Sequence, residues 1–213
     1  MEGFIYDTMY NTTDGSCQGT EEWHQQRMGK FTASRFATLM TDSRKKDEVL
    51  GQSAITYIYE KAAEILTGIR TESFGKALDW GIENEAVCKQ YYQEKNSCII
   101  QEMPFVQINE YSGGSPDGMV DGDNIEIKCP FNTINHLKTA FEGYIDPKYM
   151  WQMQGCMLAT GAENCRYISF DPRVLDDKFK MVEINVAKDI EMQEQLLDRL
   201  EYAHNYLRNL LNK

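Results

Sequence analysis

Long apolar runs, paired cysteines, histidines and positive charge are all scarce in this sequence. No stretch approaches the ~18–20 consecutive apolar residues that a membrane-spanning helix needs, so no membrane association is expected. The opening residues, MEGFIYDTMYNTTDG, have neither the basic stretch nor the apolar centre of a secretory leader, which points to the cytoplasm. The six cysteines, Cys17, Cys88, Cys98, Cys129, Cys156 and Cys165, form no CxxC pair and no tight framework, and read as free thiols. With only 3 histidines, and with His136 and His204 lacking a ligand partner at metal spacing, a His/Cys zinc site is not expected. Repeats, low-complexity tracts and Pro/Gly-rich linkers are also missing. Residues 20–213 are therefore expected to form one domain behind an irregular polar arm over residues 1–19.

The shortage of positive charge bears on partners. With 22 Lys and Arg against 33 Asp and Glu, the net charge is −11. A sequence-independent DNA binder draws most of its affinity from phosphate contacts and usually presents a basic face. The total argues against nucleic acid without excluding a local basic groove. A carboxylate metal site would itself add acidity that bound ions neutralise.

Periodicity places the elements. Thr20 before Glu21, Glu22 and Trp23 predicts a capped short helix, and Ser34–Met40 a second one. Residues 41–52 form a charged loop. Ala54, Ile55, Ile58, Tyr59, Ala62, Ile65 and Leu66 recur at helical spacing up to Gly68, and a further helix runs over Lys76–Glu94. Strand-like runs follow at Cys98–Gln101, Pro104–Ile108, Met119–Val120 and Ile125–Lys128, the last two flanking the turn sequence Asp121-Gly122-Asp123-Asn124. Helix returns over Lys148–Leu158, and strands over Arg166–Phe170 and Met181–Val186. A last helix follows Asp189, with Met192, Leu196, Leu200, Ala203, Leu207 and Leu210 on one face. The order suits a mixed α/β domain.

The chemistry is concentrated in residues 113–130, GGSPDGMVDGDNIEIKCP. Strand alternation puts Ile125 and Ile127 on one face and Glu126 and Lys128 on the other, toward solvent or a cleft. If Asp121-Gly122 is a two-residue hairpin turn, Asp117 stands opposite Glu126; a turn shifted by one residue changes that partner. Two carboxylates and an ammonium then converge. Hard oxygen ligands of this kind suit Mg²⁺, with Mn²⁺ able to substitute, and paired ions can clamp the attacking and leaving oxygens of a phosphodiester. Lys128 would position or deprotonate the water and stabilise developing charge. An E-x-K triplet alone also fits an ordinary solvent-facing hairpin.

Gly114-Ser115-Pro116-Asp117-Gly118 with Glu126-Ile127-Lys128-Cys129-Pro130 resembles the active-site region of lambda exonuclease and the YqaJ-type viral recombinases, within the PD-(D/E)xK nucleases. The resemblance extends from Trp23 to Arg173. It includes Trp23-His24 with Arg27, Gly29 and Thr32-Ala33-Ser34, then Lys76-Ala77-Leu78 with Trp80-Gly81 and Glu85. Tyr149-Met150 with Gln152 and Gln154, and Asp171-Pro172-Arg173, complete it.

The resemblance implies a restriction-endonuclease-like mixed sheet flanked by helices, and a 5′-to-3′ exonuclease acting on double-stranded DNA ends. It further implies a phage- or prophage-borne enzyme of the bacterial cytoplasm, a ring-shaped homotrimer and a single-strand annealing protein as partner. Carried over residue by residue, Asp117, Glu126, Glu85 and the Ile127 carbonyl hold two metal ions, with Lys128 at the water and Gln154 either supporting the site or serving as a structural amide. Arg27, Ser34 and Ser115 resemble a pocket for a 5′-terminal phosphate, although Arg27 could instead pair with Glu21 or Glu22 on its own helix. Leu78 resembles a wedge between terminal base pairs and Arg44 a side chain reaching into the duplex groove; core packing and a solvated loop are their ordinary alternatives. An endonuclease or single-strand nuclease on this scaffold, or a non-catalytic DNA-end adaptor, would be the competing activities.

Overall fold

Side-chain caps and left-handed glycines set many of the helix ends in the computed structural model, which describes residues 18–46, 48–71 and 75–213. Cys17 and the expected arm up to residue 17 lie outside the described residues. Gln18 already belongs to the fold, because its amide donates to the Pro116 carbonyl at 2.7 Å. Thr20 caps helix α1 (Glu21–Arg27) by accepting the Trp23 N–H at 3.3 Å. The single helix expected over Ser34–Met40 is divided. Strand β1 (Phe31–Thr32) enters a 3₁₀ turn (Ala33–Arg35), and α2 (Phe36–Leu39) starts only after Arg35 leaves helical geometry at φ −118°, ψ 6°.

Helix α3 (Gln52–Thr67) ends at Gly68 in the left-handed region, and α4 (Lys76–Asn96) runs two residues beyond its expected end. Two sheets follow. Strand β3 (Ser112–Gly114) is central in the smaller one, parallel to β1 and antiparallel to β2 (Val106–Asn109). The larger has the order β4 (Gly118–Val120), β5 (Asp123–Lys128), β6 (Asn164–Phe170), β7 (Met181–Ala187). Its inner pair β5–β6 is parallel and its outer pairs antiparallel, so the sheet is mixed, as expected. A parallel pair needs a crossover, here made by α5 (Thr133–Glu142) and α6 (Pro147–Thr160). Helix α5 is not in the expected element list. The short α7 (Asp177–Lys180) precedes β7, and α8 (Ile190–Leu211) closes the chain under an Asp189 cap.

The expected strand over Cys98–Gln101 is absent. That segment touches the sheet at a single bridge, Gln101 to Met119, with N–H to carbonyl distances of 2.9 Å each way. It crosses β4 where Gly118 has no side chain; a Cβ there would lie 2.2 Å from Ile100.

Helices cover both faces of the larger sheet. Ile125, Ile127, Ile168 and Phe170 pack with Cys88 and Tyr92 of α4 on one face. On the other, Cys165, Tyr167 and Val186 pack with Met153 and Met157 of α6. A third cluster joins Phe31, Phe36 and Leu39 to Tyr57 and Ile58 of α3 and to Leu196, Leu200 and Leu207 of α8. Phe36 is fully buried there, and truncation to Ala would cost about 3–5 kcal/mol. Glu126, on the α6 side, is therefore sandwiched and 1% exposed instead of facing solvent. Cys88, Cys98, Cys129, Cys156 and Cys165 are free, and His136 is a core histidine bonded to Ser169 and the Phe179 carbonyl. Among the described residues no helix is long and apolar enough to cross a membrane.

Candidate active site

The β4–β5 hairpin turns on two residues in the left-handed region, Asp121 at φ 55° and Gly122 at φ 86°, the conformation two-residue hairpins require. The register pairs Gly118 with Ile125, Met119 with Asn124 and Val120 with Asp123. The ladder ends at Gly118, and the next residue, Asp117, donates its N–H to the Ile125 carbonyl at 2.9 Å and lies beside Glu126. The Asp117 carboxylate then folds along the strand and accepts the Ile127 N–H at 2.7 Å. In an extended strand the N–H and carbonyl of one residue project to the same edge, so the Ile127 carbonyl faces the Asp117 side as well.

Glu126 and Lys128 form an ion pair through Oε1 and Nζ. Apart from the Lys128 ammonium on Oε1, no described residue donates to the buried Glu126 carboxylate, and Oε2 is left without a donor. Burial, and then the adjacent Glu126 charge, push the Asp117 carboxyl well above its ordinary value. Burial likewise raises Glu126, against the opposing pull of Lys128. For Lys128 burial acts downward, yet Glu126 and Asp117 outweigh it and raise the ammonium pKa. Tyr149 of α6 lies over this ammonium, its ring centroid 4.9 Å from Nζ.

Two buried carboxylates sharing one ammonium, with Glu126 Oε2 lacking a donor among the described residues, are what a bound divalent cation would relieve. The donor set therefore fits Mg²⁺ or Mn²⁺. No group of three or more Asp, Glu, His or Cys among the described residues is already drawn together around a metal position. Glu85 of α4, the expected further ligand, pairs instead with Lys89 at 2.9 Å, while its charge still acts on both hairpin carboxylates.

A cavity of about 840 Å³ opens between α1, α3 and α4, lined among others by Trp23, Arg27, Ser34, Leu78 and Glu85. Asp117, Glu126 and Lys128 do not line it, so Glu85 connects the cavity to the hairpin. Arg27 makes no ion pair with Glu21 or Glu22. Its guanidinium lies 3.8 Å from the Trp23 ring centroid and 5.9 Å from that of Phe105, and burial lowers its pKa to about 10. The same indole donates its N–H to the Ser115 hydroxyl at 2.9 Å. Trp23 thus organises two of the three expected phosphate-pocket residues. The third, Ser34, lies 3.4 Å from the Thr32 hydroxyl.

Leu78 is 44% exposed and faces the cavity, so core packing does not account for it. Arg44 lies on the exposed loop before α3, outside the cavity lining. Of its two readings, the hydrogen bonds of Gln154 match the structural amide. It is fully buried, donates to the Ala187 carbonyl at 2.9 Å and accepts from the Asp189 N–H at 2.9 Å, bracing α6 against the β7–α8 connection. Gln152 follows Tyr149 at i+3 and shares its helix face, a difference that reading along the chain does not resolve.

The model of the YqaJ-like viral recombinase domain matches residues 22–163. A search of curated protein sequences gives no significant match. The fold superposes on an alkaline exonuclease (LHK-Exo) from Laribacter hongkongensis with a TM-score of 0.81 and 30% identity, over 91% of this chain and 95% of that one. LHK-Exo in complex with dAMP gives a TM-score of 0.81 and 31% identity over the same shares. A phage-related exonuclease from Haemophilus somnus 129PT, 18% identical over 86% of this chain and 95% of its own, shares the fold with a TM-score of 0.68. Matched in sequence over most of its length and in structure over nearly all of it, this chain belongs to the YqaJ-like viral recombinase family and has the alkaline-exonuclease form of the PD-(D/E)xK fold.

Proposed function

We propose that this protein is a Mg²⁺-dependent 5′-to-3′ exodeoxyribonuclease that digests one strand of duplex DNA from its end and leaves 3′ single-stranded overhangs for annealing-type recombination. The observation that carries the reading is the buried Glu126–Asp117 carboxylate pair with Lys128 as its one ammonium and Glu126 Oε2 without a donor, next to a cavity holding an arginine without a carboxylate partner among the described residues. Asp117, Glu126, the Ile127 carbonyl and Glu85 would hold the metal, two ions to a site, with Mn²⁺ able to replace Mg²⁺. Bound there, the metal supplies an activated water and takes up charge on the scissile phosphate.

The chain's own groups supply the remainder. Lys128, an ammonium at neutral pH, places a fixed cation where negative charge develops, and its Tyr149 and Glu126 contacts restrict where it can point. Arg27 offers its guanidinium fork to a terminal phosphate, backed by the Trp23 face and accompanied by the Ser34 and Ser115 hydroxyls. Leu78, exposed at the cavity wall, would part the terminal base pair, and Arg44 would reach the duplex from its loop. As further elements of this proposal, the enzyme works in the bacterial cytoplasm as a ring-shaped homotrimer and hands its product to a single-strand annealing protein.

The test is nucleotide release from a blunt duplex labelled at one 5′ or one 3′ end, in Mg²⁺ and in EDTA. Release of the 5′-terminal label first, in Mg²⁺ alone, is expected. Internal nicking, release of the 3′ label first, or digestion in EDTA would overturn the proposal.

A further inference from the structure

One face of α3 carries a buried polar stripe that catalysis as described does not use. Tyr57, Lys61 and Glu64 follow at i, i+4 and i+7 and are 1%, 8% and 2% exposed. Such positions normally hold apolar residues, since a buried ion pair seldom stabilises more than a well-packed apolar replacement. The stripe grips the chain between Arg27 and Ser34 at both ends. Glu64 Oε2 accepts the Gly29 N–H at 3.0 Å and the Lys61 ammonium at 2.8 Å, and Oε1 accepts the Thr71 N–H at 3.2 Å. Tyr57 Oη accepts the Thr32 N–H at 3.0 Å and lies 3.4 Å from the Thr32 hydroxyl, itself 3.4 Å from that of Ser34.

The held segment cannot easily settle elsewhere. Gly29 has φ +69°, and a Cβ on it would lie 2.7 Å from Ile65. The Lys30 N–H closes the turn onto the Arg27 carbonyl at 3.1 Å. Arg27 therefore leaves α1 at an angle set two residues later by Glu64, and Ser34 enters its turn two residues after the Tyr57 contact.

We infer that the Tyr57–Lys61–Glu64 stripe positions the terminal-phosphate pocket, with Glu64 setting Arg27 and Tyr57 setting Ser34. The stripe lines the back of the same cavity and determines how strongly the enzyme distinguishes a 5′-phosphoryl from a 5′-hydroxyl duplex end. This inference rests on the proposed phosphate-pocket reading of Arg27 and Ser34.

The test compares Tyr57→Phe, Glu64→Gln and wild type on 5′-phosphoryl and 5′-hydroxyl duplexes, with melting temperature measured alongside. Both variants should lower kcat/KM on the phosphorylated end by roughly tenfold, the loss of one charge-assisted contact, while rates on the hydroxyl end stay within about twofold. In an Arg27→Ala background, Glu64→Gln should leave the ratio of the two rates unchanged, since it acts through Arg27. Equal losses on both ends that follow a drop in melting temperature would make the stripe purely structural and overturn the inference, as would an unchanged ratio in a folded variant. If Glu64→Gln does not fold, Tyr57→Phe, which removes a single hydroxyl, decides. A wild type that does not distinguish the two ends would instead overturn the pocket reading itself.

Discussion

Charge is handled in opposite ways in the two halves of the site. On the hairpin, Asp117 and Glu126 are crowded and buried until both carboxyls resist ionisation, and among the described residues Lys128 alone donates to Glu126, leaving Oε2 without a donor. Behind the Arg27 pocket, Glu64 is also buried, yet Lys61 and the Gly29 and Thr71 amides outweigh burial and hold its carboxyl below the ordinary value. The hairpin leaves its charge unsatisfied, which suits a cation-binding site; the pocket's backing is fully satisfied, which suits a rigid support. Each of these two glutamates pairs with a lysine; they differ because Glu64 also accepts two backbone N–H groups, while Glu126 lies deeper and beside other carboxylates.

The largest effect should come from the unsatisfied half. Asp117→Ala and Lys128→Ala should each slow Mg²⁺-dependent nucleotide release by the equivalent of ~2–4 kcal/mol, with folding retained. Release assays with parallel melts check this, and a folded variant keeping more than about a tenth of the activity would remove its residue from the catalytic set. On the pocket side, Arg27→Ala should erase the preference for a 5′-phosphoryl end, a change of ~1.5–3 kcal/mol. An unchanged ratio of rates would return Arg27 to a structural role.

Gln154→Ala should behave as a structural lesion. Leaving the Ala187 carbonyl and Asp189 N–H unpaired should lower stability by ~1–3 kcal/mol while activity per folded molecule persists. Catalytic loss without a change in melting would restore Gln154 to the active site. A smaller effect is expected for Trp23→Phe, which keeps an aromatic face under Arg27 but loses the N–H to Ser115. The 5′-phosphate preference should fall by the equivalent of ~0.5–1.5 kcal/mol, read from initial rates on the two ends.

Acidity sharpens the contrast further. Asp117 has a folded-state pKa above the unfolded one, so metal-free stability falls as pH rises from the ordinary carboxyl value through the raised one. Glu64, lowered on folding, contributes stability above the ordinary value that is lost as pH falls through its depressed one. Asp117→Asn should therefore stabilise the metal-free protein near neutral pH and reduce the melting-temperature rise that Mg²⁺ brings. Melts of both proteins with and without Mg²⁺ decide, and a destabilised Asn variant would count against the repulsion described.

The hairpin was legible because everything that shapes it is local. Asp121-Gly122 admits the left-handed turn, the turn sets the register, and the register brings Asp117 beside Glu126. Its burial was not legible, since α6 arrives from more than twenty residues downstream to cover Glu126. Helix α5 has local end signals, an Asn132 cap and a left-handed Gly143, but no long apolar repeat between them to mark it as a helix. Gln154 and Gln152 are neighbours in a motif but lie on different helix faces, and only packing separates them. The indole of Trp23 joins Arg27 to a residue ninety-two positions away, a link that no local spacing encodes.

Glu126→Gln bears most directly on the central claim, because it keeps the buried shape and removes the charge. With saturating Mg²⁺ and a 5′-phosphorylated duplex, the variant should fold like the wild type and release nucleotides at least about thirtyfold more slowly. Release by the folded variant at close to the wild-type rate would contradict the account, because the Glu126 carboxylate would then have no part in the chemistry.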